Sequence, residues 1–264
     1  MKKVSIFNSD IKDNPTKRLE IEEKLKRKGY ITTREGELLI IIGGDGTFLS
    51  AIRKRMPYDP IYVGFNTGNL GYFSEFSIED FDKFLGILER EEYYIEEVPV
   101  YEVRYKDDNK IKTEYFINDF VVERETTRVL HMGIDIEGEK LGTFSADGII
   151  VSTNLGSTAY NMNVGGSIVL SDKDLLQIAS ISPITSKSYR TLQNTMIVDS
   201  EKEMTIYPNL KKRREFRMVC DGREIRSKNT KFIELKKSKK KIKILRTKKY
   251  SKIEQMKNKI MDIQ

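Results

Sequence analysis

The rhythm of hydrophobic and polar positions changes once along the chain, near residue 92. Before that point, short apolar runs alternate with segments of helical spacing. Val4 to Phe7 reads as a buried strand. Asn14-Pro15 then offers an N-cap and a proline at the first helical position, opening a segment in which Leu19, Ile21 and Leu25 sit among charges as far as Gly29, a C′ candidate. Leu38 to Ile42 is a second strand, Thr47 to Arg55 a helix with Phe48, Ala51 and Ile52 on one side, and Ile61 to Phe65 a third strand. Ser77 to Arg90 closes this part as a helix. Ser77 and Asp80 match a capping box, and Phe81, Phe84, Leu85 and Leu88 keep helical spacing. Apolar strands alternating with helices predict a parallel sheet covered on both faces.

Beyond residue 92, period two takes over. Tyr101 to Tyr105, Thr113 to Ile117 and Met132 to Ile136 alternate, separated by the turn clusters Asp107-Asp108-Asn109 and Glu137-Gly138. Gly148 to Ser152, Met204 to Tyr207, Phe216 to Val219 and Phe232 to Leu235 follow, with Asp221-Gly222 as a further hairpin signal. One helix is expected near Asp172 to Ala179, opened by Ser171. The expected organisation is an α/β domain over 1–92, a mainly β domain over 93–235 and a basic C-terminal tail over 236–264. A chain of 264 residues can bury two modest cores.

Charge adjusts this picture only at the end of the chain. Lys and Arg number 47 against 40 Asp and Glu, a net charge of +7. Nine basic residues and no acidic one lie between Lys236 and Lys249, so removing them leaves the remainder at −2. A nucleic-acid reading would rest on that run and on Lys211, Lys212, Arg213 and Arg214, but a charge run is more often a solvated face, and Tyr250 is the tail's one aromatic. No nucleic-acid partner is expected. The single Cys220 excludes an internal disulfide framework and a multi-cysteine zinc site, and the single His131, between Val129 and Gly133 in an alternating segment, reads as a polar strand position. In MKKVSIFNSD the apolar stretch is too short for a signal sequence or a span, and the basic tail, where Ile242, Ile244 and Leu245 alternate only briefly, carries no sustained amphipathic face of the kind that inserts. A cytoplasmic protein without a membrane partner is expected.

The candidate chemistry begins at the end of the second strand, in IIGGDGTFLS, residues 41–50. Ligands of open parallel sheets bind beyond the carboxyl ends of the strands. Glycines there admit phosphates to the backbone, and the start of the next helix favours an anion. Asp45 beside bound phosphates needs a cation or a substrate hydroxyl between them, which suggests phosphoryl transfer with Asp45 handling the acceptor's proton and Mg²⁺ nearby. Alternatively, Asp45 caps the helix. A P-loop signature and G-x-G-x-x-G spacing are both missing. A second stretch, ADGIIVSTNLGSTAYNMNVGGS (146–167), holds an acidic turn at Asp147-Gly148, a β run, and a dense series of small, hydroxyl and amide residues around Tyr160. That series suits a ligand rich in hydroxyls; read blandly, it is a polar loop. A third fragment, INDF, sets Asn118 and Asp119 in an apolar strand, facing opposite sides.

Taken together, GGDGT, the Asn118-Asp119 pair and DGIIVSTNLGSTAYNMNVGG resemble the NAD kinases, and GFNTGNLGYFSEF (64–76) is similar to the family's connecting stretch. The resemblance spans roughly residues 38 to 225; GGDGT alone is shared with lipid kinases and phosphofructokinase-type enzymes, whereas STxxGSTAY is far more specific. It implies a Rossmann-like α/β domain followed by a β-sandwich, and transfer of the ATP γ-phosphoryl group, or that of polyphosphate, to the 2′-hydroxyl of the adenosine ribose of NAD. By the same resemblance Asp45 is catalytic, Gly46 approaches the substrate, and Asn118 and Asp119 bond the ribose and pyrophosphate region. Thr158, Ala159 and Tyr160 enclose adenosine, with Asn161, Met162 and Asn163 continuing the nucleotide-binding segment. Tyr72 lies beside adenine, Asp147 reaches the nicotinamide side, and Asp221 matches a late acid-glycine turn. The family implies a homodimer or homotetramer; no protein metal ligand is assigned beside the expected Mg²⁺. Departures are Asn163 where many relatives have serine, Ser145 near a position often basic, and Asp119 where glutamate is common. A diacylglycerol kinase-like lipid kinase of the GGDGT group is the rival enzyme.

Overall fold

The computed structural model describes residues 2–8, 15–68, 71–185, 191–208, 214–227 and 229–258. In chain order the first elements are β1 (Lys3–Asn8), α1 (Pro15–Arg27), β2 (Ile31–Thr32), β3 (Leu38–Ile42), α2 (Asp45–Arg55), β4 (Ile61–Asn66), β5 (Phe76–Ser77) and α3 (Phe81–Glu89). There follow β6 (Tyr93–Asp107), β7 (Lys110–Phe116), β8 (Asp119–Arg124), β9 (Leu130–Ile136), β10 (Glu139–Thr153) and α4 (Tyr160–Asn163). The chain ends with β11 (Leu175–Pro183), β12 (Met196–Asp199), β13 (Met204–Tyr207), β14 (Phe216–Cys220), β15 (Arg223–Ile225), β16 (Ile233–Thr247) and α5 (Lys252–Met256). Two units are formed: Met1–Val98 with Lys241–Gln264, and Pro99–Lys240.

The first unit is α/β. Its strands pair in parallel, with β3 between β1 and β4 in the registers Val4↔Leu38 to Asn8↔Ile42 and Leu38↔Ile61 to Ile42↔Phe65. That central position explains why Leu38 to Ile42 is apolar throughout: both faces are buried. The last part of β16 extends the sheet beyond β4, Lys243 facing Ile61 and Ile244 facing Tyr62. Phe65, Phe76, Phe81 and Phe84 pack ring to ring, at centroid separations of 5.1–5.4 Å, between β4 and α3.

Local signals act as their chemistry dictates. Gly29, at φ +79°, ends α1 in a Schellman motif: its N–H donates to the Lys26 carbonyl and that of Tyr30 to the Leu25 carbonyl. Ser77 and Asp80 form the reciprocal capping box, on a 3-10 turn that leads into α3. Asn14, the expected cap of α1, lies outside the described residues. Helix α2 starts at Asp45, two residues before the expected Thr47, because the chain turns at Gly43 (φ +143°) and Gly44 is the N-cap.

The second unit is mainly β and antiparallel. Strand β10 pairs with β8, β9 and β11; β14 continues beyond β8, and β13 beyond β9. Inward side chains such as Tyr101, Phe116, Phe120, Met132, Ile134, Val151 and Ile206 meet in one core. Glu137-Gly138 and Asp221-Gly222 both have φ > 0 at each residue, the geometry of two-residue hairpin turns.

Four expectations are corrected. No helix spans Asp172 to Ala179: Leu175–Pro183 is β11, paired on one side with β10 and on the other with β12. Pairing on both sides overrides an apolar spacing that fits either element. Asp147-Gly148 is not a turn but lies within β10, where a Cβ on Gly148 would come 2.6 Å from the Val122 carbonyl oxygen; close strand approach, not turning, demands the glycine. Asn118 sits in the bend between β7 and β8, so only Asp119 belongs to a strand. The run that begins at Lys236 is largely β16, with Leu235, Ile242, Ile244 and Leu245 buried. His131 does occupy a strand, but on a buried face, with Nδ1 2.9 Å from the Ser145 hydroxyl.

Candidate functional site

The neighbouring strands β1 and β3 send the chain in opposite directions, β1 to the edge strand β2 and β3 to β4 on the other side. Such a reversal opens a crevice outside the carboxyl ends of the two strands. GGDG stands there. Cβ atoms added at Gly44 and Gly46 would meet nothing within 4 Å, so neither glycine serves packing, and both leave the start of α2 open to close approach by a ligand.

Asp45 does not cap its helix through its side chain. Its carboxylate instead accepts from the N–H groups of Tyr72 and Phe73, each at 3.0 Å. Charge-assisted bonds of this kind fix a carboxylate firmly, and two amides use two of its roughly four acceptor sites. The approach depends on Gly71, where a Cβ would lie 2.4 Å from Asp45 Oδ1. Phe73 is anchored by stacking on Phe48 of α2, centroids 4.9 Å apart. Tyr72 turns its ring inward, 5 % exposed, and burial pushes its phenol up. In this structure its clearest service to the site is therefore its N–H.

In the second unit, Asp221 orders the bend that carries the Asn-Asp pair. Its carboxylate accepts from the N–H groups of Ile117 at 3.0 Å, Asn118 at 2.8 Å and Asp119 at 3.2 Å. From the other side, the Thr153 N–H donates to the Asn118 carbonyl at 2.9 Å, and a Cβ on Gly156 would sit 2.0 Å from that same oxygen. The Asn118 backbone is thus gripped on both sides, while its side-chain Oδ1 is buried with no hydrogen-bond partner. Asn161 is fully buried, and both its amide oxygen and nitrogen lack partners as well. Unpaired buried polar atoms are costly in a native fold, so these two amides keep hydrogen-bonding capacity for a bound molecule or a water.

Asp119 is 6 % exposed, and its carboxyl is raised to about 7, first by burial and then by the like charge of Asp221. The folded chain therefore holds this proton more tightly than the unfolded one. The stability so gained is fully present below the ordinary value of 3.8 and is lost as pH rises through about 7. Replacing the carboxyl removes the loss, so Asp119→Asn is expected to gain stability over wild type by a few kcal/mol, in order of magnitude, between pH 5 and pH 8.5. Urea unfolding of both proteins at the two pH values measures it; parallel pH trends would contradict the assignment.

The remaining residues of the second unit fall on one segment. Leu155–Thr158 forms a 3-10 turn and α4 follows. Thr158 is buried, its hydroxyl donating to the Leu155 carbonyl at 3.4 Å, and the Ala159 N–H donates to the Gly156 carbonyl. Tyr160, Met162 and Asn163 are exposed. Burial is the main cause that raises the Tyr160 phenol, with Glu123, Arg217 and Asp119 acting on it more weakly. Asp147 forms a two-pronged pair with Arg124, both contacts at 2.8 Å.

Sequence reasoning missed several supports. Gln177, fully buried, bridges the N–H and the carbonyl of Ser167; Asn154 ties the 3-10 turn to Lys173 and Leu175; Arg124 holds Asp147. None lies in a recognisable motif. Within the basic run, Lys236 pairs with Glu102 and Glu203, Lys237 with Asp174 and Glu201, Lys241 with Glu97, Lys243 with Asp59 and Arg246 with Glu96. Acids drawn from distant positions thus offset much of the charge that invited a nucleic-acid reading. Of the second basic patch, Lys211, Lys212 and Arg213 lie outside the described residues. Among the described residues no three His, Cys, Asp or Glu side chains converge to hold a metal ion, and no helix is long and apolar enough to cross a membrane.

Known proteins match this arrangement along most of the chain. Residues 10–93 fit the model of the ATP-NAD kinase N-terminal domain, and residues 117–247 that of the ATP-NAD kinase C-terminal domain. An NAD kinase of Finegoldia magna is 36% identical over 210 residues, covering 77% of each chain. The fold is shared with a crystal structure of yeast NADH kinase complexed with NADH (TM-score 0.85, 18% identity, 100% of this chain and 89% of that one). It is shared also with an NAD kinase from Archaeoglobus fulgidus in complex with ATP (TM-score 0.75, 22% identity, 94% of each chain). On the strength of both domain models and of the Finegoldia relative, the chain belongs to the NAD kinase family.

Proposed function

We propose that the chain transfers the γ-phosphoryl group of ATP to the 2′-hydroxyl of the adenosine ribose of NAD, giving NADP and ADP. The observation that carries this reading is the Asp45 carboxylate, held by two backbone amides beyond the carboxyl end of β3 and next to an open helix start. In the reaction the ribose oxygen forms a bond to the γ-phosphorus, the bond from that phosphorus to the β,γ-bridging oxygen breaks, and the hydroxyl proton passes to Asp45. Gly46 lets the nucleotide approach the backbone. Asn118 and Asp119 accept and donate around the ribose and pyrophosphate, Asn161 supplies its unpaired amide, and Thr158, Ala159 and Tyr160 enclose adenosine, with Met162 and Asn163 beside them. Family resemblance also puts Tyr72 beside adenine, although its ring is buried here, and Asp147 on the nicotinamide side.

Mg²⁺ belongs to the same reading as a companion of the triphosphate, since magnesium is commonly bound through substrate phosphates and few protein ligands, and the described residues build no metal cluster of their own. It would offset charge on the phosphates. A homodimer or homotetramer in the cytoplasm is the assembly and setting that family resemblance supports.

The test offers purified protein ATP and Mg²⁺ with NAD or with diacylglycerol in parallel. NADP in the first reaction and no labelled lipid in the second is expected; phosphate on the lipid alone would favour the lipid kinase. Tyr160, 39 % exposed, presents a ring face for adenosine. Losing a base-stacking face costs about 1–3 kcal/mol, so Tyr160→Ala should weaken NAD binding by about tenfold, with kcat changed far less. Titration calorimetry with NAD checks it, and unaltered affinity would contradict the adenosine assignment.

A further inference from the structure

The peptide groups that hold Asp45 are themselves held, from their other side, by residues near the end of the chain. At Tyr72 and Phe73 the backbone N–H groups donate to Asp45. The carbonyls of Gly71 and Ser74 both accept from one side chain, Gln255 Nε2, at 2.7 and 2.9 Å, and the carbonyl of Phe73 accepts from Arg246 Nη1 at 2.9 Å. Glu75 closes the segment, accepting from the Thr247 N–H at 3.1 Å and from the Thr247 hydroxyl. Gln255 and Arg246 are buried, so bulk water does not compete for these bonds.

Gln255 and Asp45 grip the same peptide plane. The Gly71 carbonyl and the Tyr72 N–H belong to one trans peptide unit and point in opposite directions. An amide donor on the carbonyl polarises the N–H opposite, and the two bonds strengthen each other in a low-dielectric interior. Rotation of that peptide would break both at once. Gly71, lacking a Cβ, offers little steric resistance to such rotation, so the donor on its carbonyl is what opposes it.

The clamp is itself built firmly. Ser251 caps α5 by accepting from the Glu254 N–H, and Lys252 lies 3.5 Å from Glu96. Glu96 also binds Arg246 at 2.8 Å, and the Arg246 guanidinium lies over the Tyr250 ring, 4.2 Å from its centroid.

We propose that Gln255 is a positioning residue for phosphoryl transfer: by fixing the Gly71–Tyr72 peptide it aims the Asp45 carboxylate at the acceptor hydroxyl. This inference rests on the reading of Asp45 as the proton acceptor.

The test measures kcat and KM for NAD in Gln255→Met, which keeps the volume but not the donor, in wild type and in an Asp45→Asn background. Misplacement of a reacting group by about 1 Å can cost about a hundredfold, so a fall in kcat of about ten- to a hundredfold is expected, with KM for NAD within about threefold. In Asp45→Asn the same change should cost less than about twofold, because residues acting as a unit are not additive. An equal loss in both backgrounds marks a merely structural role and overturns the proposal, as does unchanged kcat in the single variant. Gln255→Leu, which also lacks any donor, gives the same readout should the methionine variant not fold. Full turnover in Asp45→Asn alone would instead show that the reading of Asp45 has failed, and the inference with it.

Discussion

Asp45→Asn is expected to lower turnover by about 10²- to 10⁴-fold, the range of general acid–base contributions, while NAD affinity stays within about threefold. The carboxylate contributes two things that an amide cannot. It takes up the proton of the acceptor hydroxyl, and both its oxygens accept from the N–H groups of Tyr72 and Phe73. In the variant an NH₂ group faces one of those N–H donors, leaving it without an acceptor at a cost of about 1–3 kcal/mol. A lower melting temperature should therefore accompany the loss of turnover. The two effects separate in a calorimetric NAD titration run well below that temperature. A variant that turns over like wild type would remove Asp45 from the chemistry; one that has lost NAD binding as well would make it a binding residue.

Gly156→Ala is expected to be nearly as damaging, by another route. Its Cβ would stand 2.0 Å from the Asn118 carbonyl oxygen, 2.6 Å from the carbonyl carbon and 2.6 Å from the Ser152 hydroxyl. The obstacle is backbone, pinned by Asp221 on one side and by Thr153 on the other, so it cannot move aside as a flexible side-chain tip could. Either the Asn118-Asp119 bend or the segment bearing Thr158 and Tyr160 must shift. Overpacking of this kind costs about 3 kcal/mol, and the displaced segment should raise KM for NAD by more than about tenfold. Gly46→Ala is the control: its Cβ meets nothing within 4 Å and it lies in α2, so stability should hold while any loss reports on nucleotide approach. Denaturant unfolding and steady-state kinetics on the two variants make the comparison, and equal stability in both would contradict it.

Much of the first unit was legible because its information is local. An unbroken run such as Leu38–Ile42 needs two paired neighbours, a glycine at position 29 can end a helix through positive φ, and Ser77 with Asp80 lies within one turn. What resisted reading depends on partners far along the chain. Leu175–Pro183 is a strand because β10 and β12 flank it, and nothing within its nine residues announces them. The basic run looked like a tail because the acids that pair with it, among them Asp59, Glu97 and Asp174, come from distant segments. The candidate site divides in the same way. GGDGT and the segment around Tyr160 were visible as motifs. Asp221, whose carboxylate orders the bend at Asn118 more than 100 positions earlier, was visible as a hairpin turn and a family match but without that role, and Gln255 was not visible at all.

A crystal structure of the chain with NAD bound tests the central claim most directly. The account predicts the 2′-oxygen of the adenosine ribose within hydrogen-bond reach of an Asp45 carboxylate oxygen, about 2.6–3.2 Å. NAD bound with that hydroxyl facing another carboxylate, or with its ribose remote from residue 45, would contradict it.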